Sequence, residues 1–150
     1  MFGLNPLQFL RAILSGFFAT FVMTIAGYWQ LGLGLPRVDA GGVLAQNARR
    51  SELWGSYAHY MNGIILALGY ARWLEPLLPG PAALKGLSYG VATSLLADGL
   101  VMPLIDPRVG PFFAKTPRPA RLRTASLLVH LAYGLALGVF YAERSARVRR

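Results

Sequence analysis

Residues 12–35 read AILSGFFATFVMTIAGYWQLGLGL, 24 positions without a Lys, Arg, Asp or Glu. A helix rises ~1.5 Å per residue, so this run exceeds the ~30 Å of bilayer hydrocarbon. Three further stretches free of Lys, Arg and Glu follow it: 53–71, 86–105 and 124–142, of 19, 20 and 19 residues. Only Asp98 carries a charge well inside any of them. Continuous apolar runs of this length exclude barrel strands, which are ~10 residues long and alternate in polarity. The chain therefore reads as an all-α integral membrane four-helix bundle. Its expected spans lie near 10–33, 54–74, 83–103 and 124–143, within a single transmembrane domain over 1–150.

Composition agrees. Apolar residues make up 55% of the chain and the mean hydropathy is +0.44, above the usual soluble range. The absence of Cys excludes disulfides, thiolate metal sites and a Cys nucleophile. The net charge of +9 would suggest nucleic acid in a soluble protein, but here the basic residues flank the spans. The lipid bilayer is the partner this implies, with anionic headgroups at the Arg-rich loops worth ~1 kcal/mol per basic residue near the surface. Of the 15 Lys and Arg, seven fall on one side and eight on the other, so the positive-inside rule does not set the orientation. The Arg-rich tail favours cytoplasmic termini, since it would otherwise have to cross. The first apolar run is too long for the h-region of a signal peptide and reads as a retained signal anchor.

The second and fourth stretches share a pattern. His59-x3-Gly63-x6-Tyr70-Ala71 recurs as His130-x3-Gly134-x6-Tyr141-Ala142. Ala19-Thr20 matches Ala92-Thr93, and Pro36-x-x-Asp39 matches Pro103-x-x-Asp106. We read two pseudo-repeated helical hairpins, running parallel about an axis along the membrane normal. Small residues mark the packed faces: Gly86-x3-Gly90, Gly134-x3-Gly138 and a stripe through Gly16, Ala19, Thr20, Met23, Thr24 and Gly27. Trp29, Trp54 and Trp73 suit interfacial belts. Pro76, Pro79 and Pro81 predict a short non-helical loop over 72–85, and five prolines predict an irregular path over 103–123. A short interfacial helix is expected from Val43 to Leu53.

Few residues are equipped for chemistry. His59 and His130 hold equivalent repeat positions, and Asp98 ends the i+4 series Gly86, Gly90, Ser94. Asn62 shares the helix face of His59, and Thr24 is the nearest repeat equivalent of Asp98. Ionisable groups at membrane depth are costly and should face one another or a wet cavity. These five, Thr24, His59, Asn62, Asp98 and His130, are the candidate binding residues, and Asp98, His59 and His130 should converge near the face that carries loops 36–52 and 106–123. One role is structural, a hydrogen-bonded knot that docks the hairpins. Another is a b-type haem, with His59 and His130 as axial metal ligands and room for the macrocycle beside Gly63 and Gly134. A third is a quinone, lipid or proton site using Asp98 and a histidine. No hydrolase triad, Walker loop, dinucleotide fingerprint or H-E-x-x-H is present, and no catalytic residue is assigned. The expectation is a non-enzymatic membrane protein or accessory subunit, with a membrane complex as its partner and no nucleic acid.

Gly16-Phe-Phe-Ala-Thr-Phe-Val-Met-Thr, the two His elements and Val101-Met-Pro-Leu together resemble a group of uncharacterised four-helix bacterial inner-membrane proteins. The resemblance covers most of the chain. It implies the fold and a multi-pass location in the bacterial inner (cytoplasmic) membrane, and it brings no binding residues with it.

Overall fold

A computed structural model describes residues 4–105 and 119–147. All of the regular structure in them is helical, in five helices. Helix α1 (Pro6–Gly32) starts earlier than its apolar run because the chain caps it well: Pro6 fills the first position, Asn5 Oδ1 accepts from Gln8 N at 2.8 Å, and Gln8 Oε1 accepts from Asn5 N at 3.0 Å. It ends at Leu33 and Gly34, the latter at φ +68, which glycine adopts without strain. Helix α2 (Ala40–Asn47) starts three residues before the expected 43–53 segment and covers only its first half, while Leu53 belongs to the next helix. Asp39 caps it by accepting from Gly42 N, and Arg49 at positive φ breaks it before Ser51 opens the next helix.

Helix α3 (Glu52–Gly69) runs on through a π-helical turn (Tyr70–Leu74) and a last α-turn (Glu75–Leu77). Helix α4 (Ala82–Leu96) does the same, through a π-helical turn (Ala97–Val101) and a last α-turn (Met102–Ile105). Neither Pro76 nor Pro103 stops its helix, contrary to the sequence expectation for Pro76. Each π turn begins six residues before its proline. Proline cannot donate to the carbonyl four residues back, and its ring clashes with it. A widened turn around that carbonyl, with Glu75 N bonding Tyr70 O and Met102 N bonding Ala97 O, lets the helix continue. The break between α3 and α4 is confined to Leu78–Pro81, with Gly80 at φ +99. Helix α5 (Ala120–Arg147) begins four residues before its apolar run. Most of the expected irregular loop over 103–123 lies outside the described residues.

Helix α3 packs on α1, α1 on α5 and α5 on α4, while α2 lies against α3. The interior is made of small residues and tyrosines: Ala12, Ser15, Ala19 and Thr20 of α1, Ala67 and Tyr70 of α3, Gly86 and Gly90 of α4, Tyr133 and Leu137 of α5. Phe17, Phe21, Ile25, Ile65, Leu95 and Leu135 point outward. Large apolar side chains outside and small ones inside invert the soluble pattern and suit helices that meet lipid. The seam between α4 and α5 is tight, since a Cβ on Gly86 would run into the backbone of Gly134, and one on Gly134 into that of Gly86. Three helices, Pro6–Gly32, Ala82–Leu104 and Ala120–Ala142, are long and apolar enough to cross a membrane. Helix α3 is less apolar, because Ser56, His59, Tyr60 and Asn62 crowd its first half.

Buried tyrosines close one end of this packing. Tyr70 lies with its ring centroid 5.2 Å from Tyr89 and 6.1 Å, edge-on, from Tyr141. Tyr89 donates from α4 to Leu66 O of α3 at 2.8 Å, and Tyr133 from α5 to Gly63 O at 2.6 Å. A carbonyl already in a helix ladder has a second lone pair to accept these bonds, so neither hydroxyl is stranded. Lys85 reaches back across the α3–α4 turn to Glu75, bonding its backbone O at 2.8 Å and its Oε1 at 3.2 Å. Arg11 is buried, 7% exposed, near the start of α1.

Candidate functional site

At the other end the helices part around a cavity of about 280 Å³. Helix α3 and α4 meet chiefly at the π turn of α3, so toward Glu52 they are free to diverge. His59, Asn62, Gly63 and Leu66 of α3 form one wall, Ala97, Asp98, Val101 and Met102 of α4 another, and Ser126, His130 and Tyr133 of α5 a third. Thr20 and Met23 of α1 close the back. The segment Arg37–Ala40 with Val43 and Leu44 of α2 covers the end. Most of the wall is apolar, with a few polar groups converging on it, as in small-molecule sites.

Each polar group is held by its element. The π turn carries Asp98, which is 5% exposed, and Gly86, Gly90 and Ser94 of the same stripe are also buried, as the i+4 series predicts. The Nδ1 of His130 lies 2.7 Å from Ser126 O. A carbonyl only accepts, so Nδ1 must donate, which fixes the ring and leaves its chemistry at the Nε2 edge. Asn62 is exposed at the lip of the cavity, halfway along α3. The cover is knit by charge: Arg37 pairs with Asp39 at 3.3 Å and stacks 4.0 Å from the ring centroid of Tyr28, while Asp39 also caps α2.

Four of the five residues singled out in the sequence, His59, Asn62, Asp98 and His130, therefore line one cavity. Thr24 does not. Its hydroxyl donates to Thr20 O at 2.9 Å, and it borders a smaller neighbouring cavity of about 120 Å³ that shares His59 and Asp39 with the first. Sequence reasoning missed Tyr133 and Ser126, although both sit one turn from His130, and it missed the Arg37–Asp39 cover. The glycines expected to make room for a macrocycle do not: Thr20 fills the space beside Gly63, and the α4 backbone fills that beside Gly134. Among the described residues no three His, Cys, Asp or Glu side chains are grouped to hold a metal ion.

Helices apolar enough to cross a membrane, small residues at their contacts and a cavity between them define a helical membrane protein. The chain belongs to the family of unknown function DUF6789, whose family model matches residues 7–149. No curated protein and no solved structure matches it.

Proposed function

We propose that this is a non-enzymatic accessory protein of the bacterial inner membrane, whose cavity holds a small hydrogen-bonding ligand through His59, Asn62, Asp98 and His130. The observation that carries this reading is the single cavity bordered by all four. Ionisable side chains at membrane depth that border one cavity support a binding role.

The reading includes a fourth membrane span, Glu52–Leu77. At ~1.5 Å per residue this helix is ~39 Å long, and the exposed Trp54 and Trp73 near its ends suit two interfaces. Its polar residues His59 and Asn62 border the cavity, which explains its lower apolarity. The reading also includes the duplicated hairpin. Matched positions meet in pairs, His59 and His130 around the cavity, Tyr70 and Tyr141 ring to ring at the opposite end. That is the arrangement an axis along the membrane normal would give. Both termini then share a side, the cytoplasmic one.

Mass spectrometry of small molecules that co-purify with the protein in mild detergent tests the proposal. The wild type should retain a ligand that a His59→Ala/His130→Ala variant, still folded by circular dichroism, has lost. Identical empty preparations of both would overturn it. Haem b is a second reading, favoured by the His130 Nδ1 bond, since ligating histidines are fixed in this way through their other nitrogen. The filled space at Gly63 and Gly134 weighs against it. A Soret band lost in each single His→Ala variant would establish haem, and a colourless preparation from haem-replete cells would remove it.

A further inference from the structure

We propose that the ligand is a neutral, lipid-soluble amphipath of the quinone or quinol class, entering sideways from the bilayer between α3 and α4. This rests on the cavity being a binding site, as proposed above.

Two entrances can be compared. The end toward the loop between α1 and α3 is covered by Val43 and Leu44 of α2 and by the Arg37–Asp39 pair, itself anchored on Tyr28 and on the α2 N-terminus. On the side, α3 and α4 are joined by the Tyr70–Tyr89 ring contact at the π turn of α3 and by the Tyr89–Leu66 bond one turn before it, and nearer Glu52 α3 packs on α1 and α2 instead. Among the described residues the edges of that gap are Asn62 on α3 and Val101 on α4, both exposed and both bordering the cavity. An exposed carboxamide about 12 Å along the helix from Trp54 has no place on a lipid-facing surface, where an unmet amide is costly. At the mouth of a side entrance it has one, as the first hydrogen-bonding group an incoming head would meet.

The wall selects the head. A carboxylate at Asp98 would repel anionic lipid heads, and Arg37, the one Lys or Arg bordering the cavity among the described residues, is already paired with Asp39. A charged ligand would also resist crossing the hydrocarbon to reach the gap. A ring bearing two oxygens can instead accept from Asn62 or a His N–H, or donate to Asp98 as the quinol. A volume of about 280 Å³ is at the low end for small-molecule sites and suits one substituted ring with its tail trailing through the gap. The proposal concerns binding alone and assigns no electron transfer.

The test uses the full chain in phosphatidylcholine nanodiscs, stripped of co-purifying small molecules, with thermal unfolding as readout and two probes sharing one dimethoxy-methyl-benzoquinone head, one with a decyl tail and one without. The chain has no Cys for the quinone to alkylate. The tailed probe should raise the unfolding midpoint, with its Kd weakened about tenfold or more in Asn62→Leu and in Val101→Trp, and unchanged in Leu84→Trp, an exposed α4 position away from the gap. Asn62→Gln should retain part of the affinity, which separates loss of a hydrogen bond from misfolding. Equal protection by the tail-less probe, with no effect of Val101→Trp, would overturn side entry. Failure of both probes while a different molecule co-purifies would overturn the quinone class and leave the binding cavity standing. If neither probe binds and nothing co-purifies, both proposals fail together.

Discussion

The tyrosine end and the cavity end are built from the same helices, and each contains polar side chains, yet they solve the burial problem in opposite ways. At the tyrosine end Tyr89 donates a hydrogen bond to Leu66 O of α3, and the rings of Tyr70, Tyr89 and Tyr141 fill the space between helices. At the cavity end His59, Asn62, Asp98 and His130 line a shared cavity. Polar groups packed among other side chains serve the fold, whereas polar groups gathered along a cavity suit the binding site proposed above. Two prolines help to create the contrast. The π turn ahead of Pro76 lies in the tyrosine cluster and carries Tyr70, while the one ahead of Pro103 carries Asp98 to the cavity wall.

If this contrast is real, substitutions at the two ends should differ in kind. The largest loss of stability is expected from Tyr70→Ala, because Tyr70 is 1% exposed and touches two other rings. Truncating a core aromatic costs about 3–5 kcal/mol, and thermal unfolding in detergent should show it. Asp98→Leu should cost less, about 1–2 kcal/mol, by leaving the groups around it facing a hydrocarbon side chain, while Asp98→Asn should unfold close to the wild type. Tyr89→Phe keeps the ring and removes one bond to Leu66 O, for about 1 kcal/mol or less. Asn62→Leu should leave the unliganded midpoint unchanged or raised, and abolish ligand-dependent stabilisation. A fall in the unliganded midpoint as large as that of Tyr70→Ala would erase the distinction between the ends. The smallest effect is expected at the cover: Arg37→Ala removes a half-exposed ion pair worth less than about 1 kcal/mol, and should show only as faster ligand dissociation.

Much of this was legible in the sequence, because the bilayer sets a length that helices must meet and small residues mark where they touch. Gly86, Gly90, Ser94 and Asp98 could be placed on one buried face by their spacing, and the repeated His-x3-Gly element pointed to the two histidines of the cavity. Helix ends were less legible, since Asn5, Asp39 and Ser51 start helices through caps that hydropathy does not register. Pro76 misled because a proline announces a break, whereas here a π turn absorbs it. The Arg37–Asp39 cover could not be seen at all. It depends on how the segment after α1 folds back over the cavity, and no local pattern encodes that. Nor could the sequence show that Thr24 borders the neighbouring cavity, with its hydroxyl donating to the carbonyl one turn back.

The most direct test of the central claim is the unfolding midpoint of Asp98→Asn in nanodiscs, measured with and without the ligand that co-purifies with the wild type. A site built for binding predicts an unliganded midpoint within about 3 °C of the wild type, less than ~1 kcal/mol for a chain of this size, together with loss of the ligand-dependent rise. An unliganded midpoint lowered as far as that of Tyr70→Ala, with the ligand response intact, would make Asp98 part of the scaffold and contradict the account.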